Sequence, residues 1–151
     1  FVSSASIESI NEHAEWFCAH WIPRHLHPVG VALLNEHRRL GDRIILLSAS
    51  PVLVVPAIAE LLGINEVVCT RLEIRDGRYT GQIDGANCKG KEKVVAIKTH
   101  LCCEKAPDST FAYGDSKSDR YVLKWAQHGA WVRRTGIEPL SSDRSVFPNW
   151  T

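Results

Sequence analysis

The sequence lacks an excess of charge of either sign: it contains 18 lysines and arginines and 17 aspartates and glutamates, which give a net charge of +1. Net charge therefore does not indicate a class of binding partner. Since no basic run stands out, the electrostatic footprint of a nucleic-acid-binding protein is missing. Long apolar runs are missing too; residues 52–58 form one of the longest, and Pro56 interrupts it. A membrane helix needs about 20 apolar residues. We therefore expect no nucleic-acid partner and no membrane segment in this chain.

Cysteine pairs are also lacking, because the five cysteines are an odd number and none are spaced as Cys-x-x-Cys. That arrangement argues against a disulfide framework or a zinc site and favours reduced thiols in a cytoplasmic protein. The chain contains no methionine and its first residues do not resemble a secretory signal. We expect it to begin inside a longer protein.

What is present is the composition of an ordinary globular domain, with 44% hydrophobic and 23% charged residues in a chain of 151. Its apolar pattern alternates between helical and strand periods, which predicts parallel βαβ units in an α/β fold. The predicted helices cover residues 6–21, 28–40, 51–62, 90–101 and 119–127. The predicted strands cover residues 43–48, 66–69, 110–113 and 130–132, with a hairpin over 72–83 and an irregular tail over 133–151 anchored by Trp150.

The most informative segment is residues 111–119, which read FAYGDSKSD. An apolar strand runs into a glycine turn and is followed by two carboxylates, Asp115 and Asp119. Ligands bind at the carboxyl ends of parallel strands, and Mg²⁺ is commonly held by one or two carboxylates. The pattern indicates a Mg²⁺ site, although an ordinary turn followed by an acid in the first turn of a helix would look the same.

Two further loops carry groups suited to phosphate. Ser50 and Pro51 are typical of an N-cap and a first helical residue, which would leave the Ser48 hydroxyl as an additional donor beside free helix N–H groups. Lys89 stands at another predicted helix start, where the dipole disfavours a cation and a bound phosphate would account for it. Capping alone explains Ser50, and Lys89 could simply be exposed, as we interpret Lys91 and Lys93 to be.

These segments resemble three motifs of the haloacid dehalogenase (HAD) superfamily: LLSASP at residues 46–51, NCKG at 87–90 and GDSKSD at 114–119. Between them, TRLE at 70–73 and YTG at 79–81 are similar to the branch that contains phosphoserine phosphatase. The resemblance covers about residues 40–132, and its last motif is the most specific. It implies a HAD-like, Rossmann-like α/β fold with a parallel sheet and flanking helices.

The resemblance also implies roles for individual residues. Ser48 and Ala49 would bind the phosphoryl group and Lys89 would stabilise it during catalysis. Asp115 would ligate Mg²⁺, while Asp119 would be a catalytic residue that lies in the outer shell of the metal or holds Lys89.

One family motif is missing from this sequence. Members carry Asp-x-Asp-x-Thr after their first strand, the first Asp being the nucleophile, and no such motif occurs here. We therefore interpret the chain as the C-terminal part of a larger enzyme. Residues 1–40 would be a remnant of a helical cap and residues 41–151 a core that lacks its first strand, which would lie between strands 43–48 and 110–113.

The function expected from this resemblance is hydrolysis of phosphomonoesters with Mg²⁺ and an aspartyl-phosphate intermediate, acting on a small phosphorylated metabolite. The chain alone would be inactive. An alternative is a non-catalytic module that keeps a phosphate or Mg²⁺ site and serves as a regulatory or partner subunit. A dinucleotide-binding enzyme is disfavoured because no G-x-G-x-x-G follows a strand. Neither the particular substrate nor the oligomeric state follows from the sequence.

Overall fold

The computed structural model describes residues 6–143 and 145–147, which contain both helices and strands. The helices are α1 (Ile7–His20), α2 (Pro28–Leu40), α3 (Val55–Leu61), α4 (Lys91–Leu101) and α5 (Arg120–Trp125). The strands are β1 (Ile45–Pro51), β2 (Glu66–Thr70), β3 (Leu72–Arg75), β4 (Arg78–Ile83), β5 (Phe111–Gly114), β6 (His128–Arg133) and β7 (Gly136–Pro139). In this described part of the chain, every helix is too short or too polar to cross a membrane.

The chain divides into two compact units. The first unit contains α1, β1, α3, β2 and the β3–β4 hairpin, and the second contains α2, α4, β5, α5, β6 and β7. The family resemblance predicts another boundary, between a cap remnant that ends at residue 40 and a core that follows it. That boundary does not coincide with the two compact units and stays a prediction.

In the first unit, β1 and β2 run parallel, with Ile45 opposite Glu66 and Leu47 opposite Val68. Helix α3 connects them and buries Val55 and Ala59, so the segment forms a βαβ unit as the sequence predicts. The predicted hairpin is confirmed as well: β3 pairs antiparallel with β4 around Asp76 and Gly77, both of which have positive φ. Two such residues make the tight turn that joins twisted strands.

In the second unit, β5 runs parallel to β6, and β6 pairs antiparallel with β7. Leu123 of α5 and Ala130 of β6 are almost fully buried and form part of its core. Both units thus show parallel strands with flanking helices, which confirms the predicted α/β class.

The segment after β1 differs from the prediction. Residues 50 and 51 belong to the strand, and α3 begins at Val55 with Val54 as an N-cap that makes no side-chain hydrogen bond. The strand continues because its pairing with β2 resumes after a register break, with Pro51 opposite Thr70. The interpretation of Ser50 as an N-cap and Pro51 as the first helical residue is therefore wrong.

The C-terminal tail is also more ordered than predicted. Residues 136–139 form β7, whose backbone groups pair with those of the neighbouring β6. Phe147 is buried against Phe111 and His128. The predicted anchor Trp150 lies outside the described residues.

Gly30, inside α2, and Gly41, which follows it, together test where this helix ends. Gly41 ends the helix with φ of +79°, a conformation that costs an L-residue about 1–2 kcal/mol, so Gly41→Ala should lower the free energy of unfolding. Gly30 lies inside the helix, where an added Cβ would make an ordinary 3.7 Å contact with the Cβ of His27. Gly30→Ala should stabilise the protein by up to about 1 kcal/mol. Urea denaturation measures both, and equal stability of the two variants would contradict the assigned helix end.

Candidate functional site in the second unit

The turn that follows β5 is built around a buried carboxylate. A 3₁₀ turn, Lys117–Asp119, leads from the strand into α5, and Ser116 caps it. The Ser116 N–H and hydroxyl both donate to Oδ2 of Asp119, at 3.0 and 2.7 Å. A Cβ added to Gly114 would lie 2.5 Å from the Cβ of Asp119. Glycine is required at the end of β5 because the Asp119 side chain occupies that space.

The other oxygen of Asp119 forms an ion pair with a lysine of α4. Nζ of Lys93 lies 2.5 Å from Oδ1 of Asp119, and the two residues are 8% and 5% exposed. Removing two charges from water is costly, and close pairing with further hydrogen bonds offsets that cost. The pair joins the first turn of α4 to the turn before α5.

The pKa of Asp119 reflects these contacts. Burial alone would raise the pKa of this carboxyl, but the hydrogen bonds from Lys93 and Ser116 outweigh burial and hold the pKa below its ordinary value. Asp119 is therefore ionised at neutral pH. Both of its oxygens are engaged by donors of this chain.

Asp115, unlike the buried Asp119, lies in an exposed environment. It lies directly after the end of β5 and is exposed, so its carboxylate faces solvent beside the buried Asp119 pair. An oxygen ligand of this kind suits a hard cation. Within residues 6–143 and 145–147 no cluster of three or more His, Cys, Asp or Glu side chains could hold a metal, and Mg²⁺ commonly needs one or two carboxylates.

Lys89 and Lys93 lie in different environments. Lys89 precedes α4 and is exposed, whereas Lys93, which the sequence analysis interpreted as a solvent residue, is buried against Asp119. A signal for Lys93 was available: it lies four residues before Ile97, which is also buried, so both lie on the inner face of α4.

A second polar network is centred on the buried His37 and reaches Tyr113 of β5. The ring nitrogens of His37 lie 2.7 Å from Oδ2 of Asp42 and 2.8 Å from the hydroxyl of Tyr113. Burial raises the pKa of Tyr113 above its ordinary value, and the Asp42 carboxylate adds to the effect. Tyr113 is neutral at physiological pH and holds the end of α2 to β5.

The predicted phosphate-binding residues Ser48 and Ala49 belong to the first unit. The Ser48 hydroxyl accepts from the Ser50 N–H at 3.1 Å, and the Ala49 carbonyl accepts from the Thr70 hydroxyl at 2.8 Å. Thr70 is buried and its oxygen also accepts from the Cys88 N–H at 3.0 Å. Sequence reasoning missed Thr70, because a threonine at the end of a β-branched strand looks like any other strand residue.

Comparison with known proteins agrees with this architecture. The family model of haloacid dehalogenase-like hydrolases matches residues 2–124. Protein CicA of Caulobacter vibrioides is 35% identical over 82% of this chain and 55% of its own length. A histidinol-phosphatase of Neisseria meningitidis is 28% identical over 79% of this chain and 56% of its own. A solved Bordetella pertussis protein of unknown function shares 27% identity at a TM-score of 0.71, covering 82% of this chain and 57% of that one.

The predicted likeness to phosphoserine phosphatase is confirmed at the level of the fold. A phosphoserine phosphatase solved as a phospho-aspartyl intermediate analogue matches at a TM-score of 0.53 with 21% identity, covering 86% of this chain and 58% of that one. The chain spans about half the length of the curated relatives it matches.

Parallel strands with flanking helices in each unit define this chain as an α/β protein. The chain belongs to the haloacid dehalogenase-like hydrolases, among relatives that include phosphatases.

Replacing Asp119 tests the ion pair. Asp119→Asn leaves the buried Lys93 charge without its partner, so the free energy of unfolding should fall by about 3–5 kcal/mol at pH 7. Because the folded pKa of Asp119 is lowered, its contribution is complete above the unfolded pKa of about 3.9 and is lost as the pH falls through the folded pKa. Denaturation of wild type and variant from pH 7 to 2 should therefore show curves that converge in acid. The exposed Asp115→Asn is the matched control, and a loss as large as that of Asp119→Asn would contradict the account.

Proposed function

We propose that this chain is the later part of a Mg²⁺-dependent phosphomonoester hydrolase. The observation that carries the proposal is the buried Lys93–Asp119 pair next to the exposed Asp115, at the carboxyl end of β5. Ligands of open α/β sheets bind at such strand ends. The family match and the phosphatase relatives support the same chemistry.

The residues fit Mg²⁺ with Asp115 as its protein ligand. Asp115 has an exposed carboxylate, whereas both oxygens of Asp119 already accept from Lys93 and Ser116. We assign Asp119 to the outer shell, where it fixes Lys93 and the turn that presents Asp115. When bound, Mg²⁺ would neutralise charge on the phosphate oxygens.

The lysine that stabilises the phosphoryl group has two candidates. The resemblance assigns this role to Lys89, and the ion pair with Asp119 favours Lys93, because a lysine held by a fixed carboxylate is preorganised for an anion. In the first unit, the Ser48 hydroxyl and the Ala49 N–H remain the proposed phosphate donors. Thr70 is a positioning residue that fixes the Ala49 carbonyl.

The nucleophile must come from outside this sequence, which contains no Asp-x-Asp-x-Thr. By the resemblance, a carboxylate attacks phosphorus and expels the alcohol, giving an aspartyl-phosphate that water hydrolyses to phosphate and the free acid. β1 and β5 each have one strand partner among the described residues, β2 and β6. Each therefore has a second side on which a further strand could pair, as the proposal requires.

The substrate proposed here is a small phosphorylated metabolite in the cytoplasm. Its support is the phosphatase relative and a charge balance with no excess basic charge for nucleic acid. The division into a cap remnant over residues 1–40 and a core over 41–151 belongs to the same proposal.

The experiment that tests the proposal measures phosphomonoesterase activity of the full-length gene product with and without Mg²⁺. Asp115→Asn should lower turnover by roughly 10²–10³-fold, the usual effect of removing an electrostatic group from an active site, while leaving the fold intact. The exposed Asp108→Asn, in the loop before β5, should behave like wild type.

The 151-residue chain assayed alone should be inactive, and addition of a segment that carries the nucleophile should restore activity. Hydrolysis by the isolated chain would contradict the proposed division of the enzyme. A full-length product that binds Mg²⁺ and phosphate without hydrolysing any ester would favour the non-catalytic module instead.

A further inference from the structure

A cluster of cations surrounds Tyr121 on the second unit. The guanidinium of Arg120 lies 4.6 Å from the centre of the Tyr121 ring and donates to the Tyr121 hydroxyl at 2.5 Å. The ammonium of Lys91 lies 5.9 Å from the same ring centre. Lys124 follows Tyr121 by three residues on α5, a spacing at which two side chains are neighbours on a helix surface. We call Lys91, Arg120, Tyr121 and Lys124 the tyrosine cluster.

The cluster is assembled from two helices at one place. A Cβ on Gly90 would lie 3.8 Å from the Tyr121 ring, so the ring covers the turn that opens α4. Lys91 is exposed while Lys93, two positions later, is buried. The starts of α4 and α5 meet at a junction whose buried side is the Lys93–Asp119 pair. The tyrosine cluster lies on the outer side of this junction.

The positive charge of the cluster is uncompensated in the described part of the chain. Lys91, Arg120 and Lys124 form no ion pair there with any carboxylate, although Glu92 is the next residue after Lys91. Lys91 and Arg120 are also the first residues of α4 and α5, where helix dipoles disfavour cations. The hydrogen bond from Arg120, together with the charges of Lys91 and Lys124, lowers the pKa of Tyr121 below its ordinary value.

We propose that the tyrosine cluster is a binding site for a doubly charged oxyanion of the phosphate class. The planar guanidinium of Arg120 can donate to two oxygens of such a group, and the two ammonium groups of Lys91 and Lys124 add charge without demanding a fixed direction. A dianion matches three clustered cations better than a single carboxylate does. The proposal stands on these contacts and does not depend on the proposed hydrolase.

The experiment is an NMR titration of the full-length gene product labelled with ¹³C at the tyrosine ring carbon that bears the hydroxyl, with the Tyr121 signal assigned from Tyr121→Phe. Sodium phosphate should raise the pKa of Tyr121, because a bound anion offsets the surrounding cations. Sodium chloride at the same ionic strength should give a smaller shift, since screening acts on all exposed groups alike.

Two variants distinguish specific phosphate binding at the tyrosine cluster from nonspecific attraction by the positive charge of the protein surface. Arg120→Gln and Lys91→Gln should each weaken phosphate binding by about tenfold or more, the effect of losing a charged hydrogen bond. Lys105→Gln, an exposed lysine outside the cluster, should leave binding unchanged. A phosphate effect equal to that of chloride, or equal losses in all three variants, would overturn the proposal.

The bound group could be free phosphate or the second charged group of a longer ligand, and a further arm separates these sources. A flexible alkyl bisphosphate is titrated with Mg²⁺ into wild type and Asp115→Asn. Weaker bisphosphate binding at Tyr121 in Asp115→Asn, with the binding of inorganic phosphate at Tyr121 unaffected, identifies the second group of a ligand that also reaches Asp115. Equal binding of both probes in the two proteins identifies a free-standing anion site.

Discussion

The second unit depends on one interaction, the ion pair between Lys93 and Asp119. Two charges buried to this degree are stable only as a pair, so the start of α4 and the turn after β5 must stay together. The neighbouring features follow from it. Gly114 lacks a side chain because Asp119 fills that space, and Ser116 directs two donors to the second carboxylate oxygen. With Asp119 fully engaged, Asp115 is the carboxylate left to meet solvent and, in the proposed function, the metal.

The same junction explains why neighbouring cations of α4 take different roles. Residues two apart on a helix point to different sides, so Lys93 enters the core while Lys91 stays outside above Tyr121. In the first unit, the buried Thr70 hydroxyl also joins two segments of the chain, because it donates to the Ala49 carbonyl and accepts from the Cys88 N–H. In both units, the segments that carry predicted functional residues are held by buried polar contacts as well as by apolar burial.

Regular elements could be predicted because their signals are local. Helix α2 begins and ends as predicted, at Pro28 and before Gly41, and the turn at Asp76 and Gly77 marks the hairpin. Features that depend on contacts with residues far away in the sequence could not be predicted. Pro51 looks like a helix start until its pairing with Thr70 is known, and β7 exists because β6 has an edge to pair with. Lys93 was misjudged because a lysine is expected at the surface unless a buried acid holds it. The motif around Asp115 and Asp119 was found since glycine, strand end and acids adjoin in sequence.

In the proposed function, the ion pair with Asp119 favours Lys93 over Lys89 as the lysine that stabilises the phosphoryl group. The most direct test compares Mg²⁺-dependent turnover of Lys93→Gln and Lys89→Gln in the full-length gene product, with circular dichroism to monitor folding. Lys93→Arg, which keeps a charge for Asp119, separates loss of chemistry from loss of structure because guanidinium and ammonium are not interchangeable at such sites. We expect Lys89→Gln to retain near-normal turnover and both folded Lys93 variants to lose most of theirs. Normal turnover in a folded Lys93 variant, with activity lost in Lys89→Gln, would contradict this expectation.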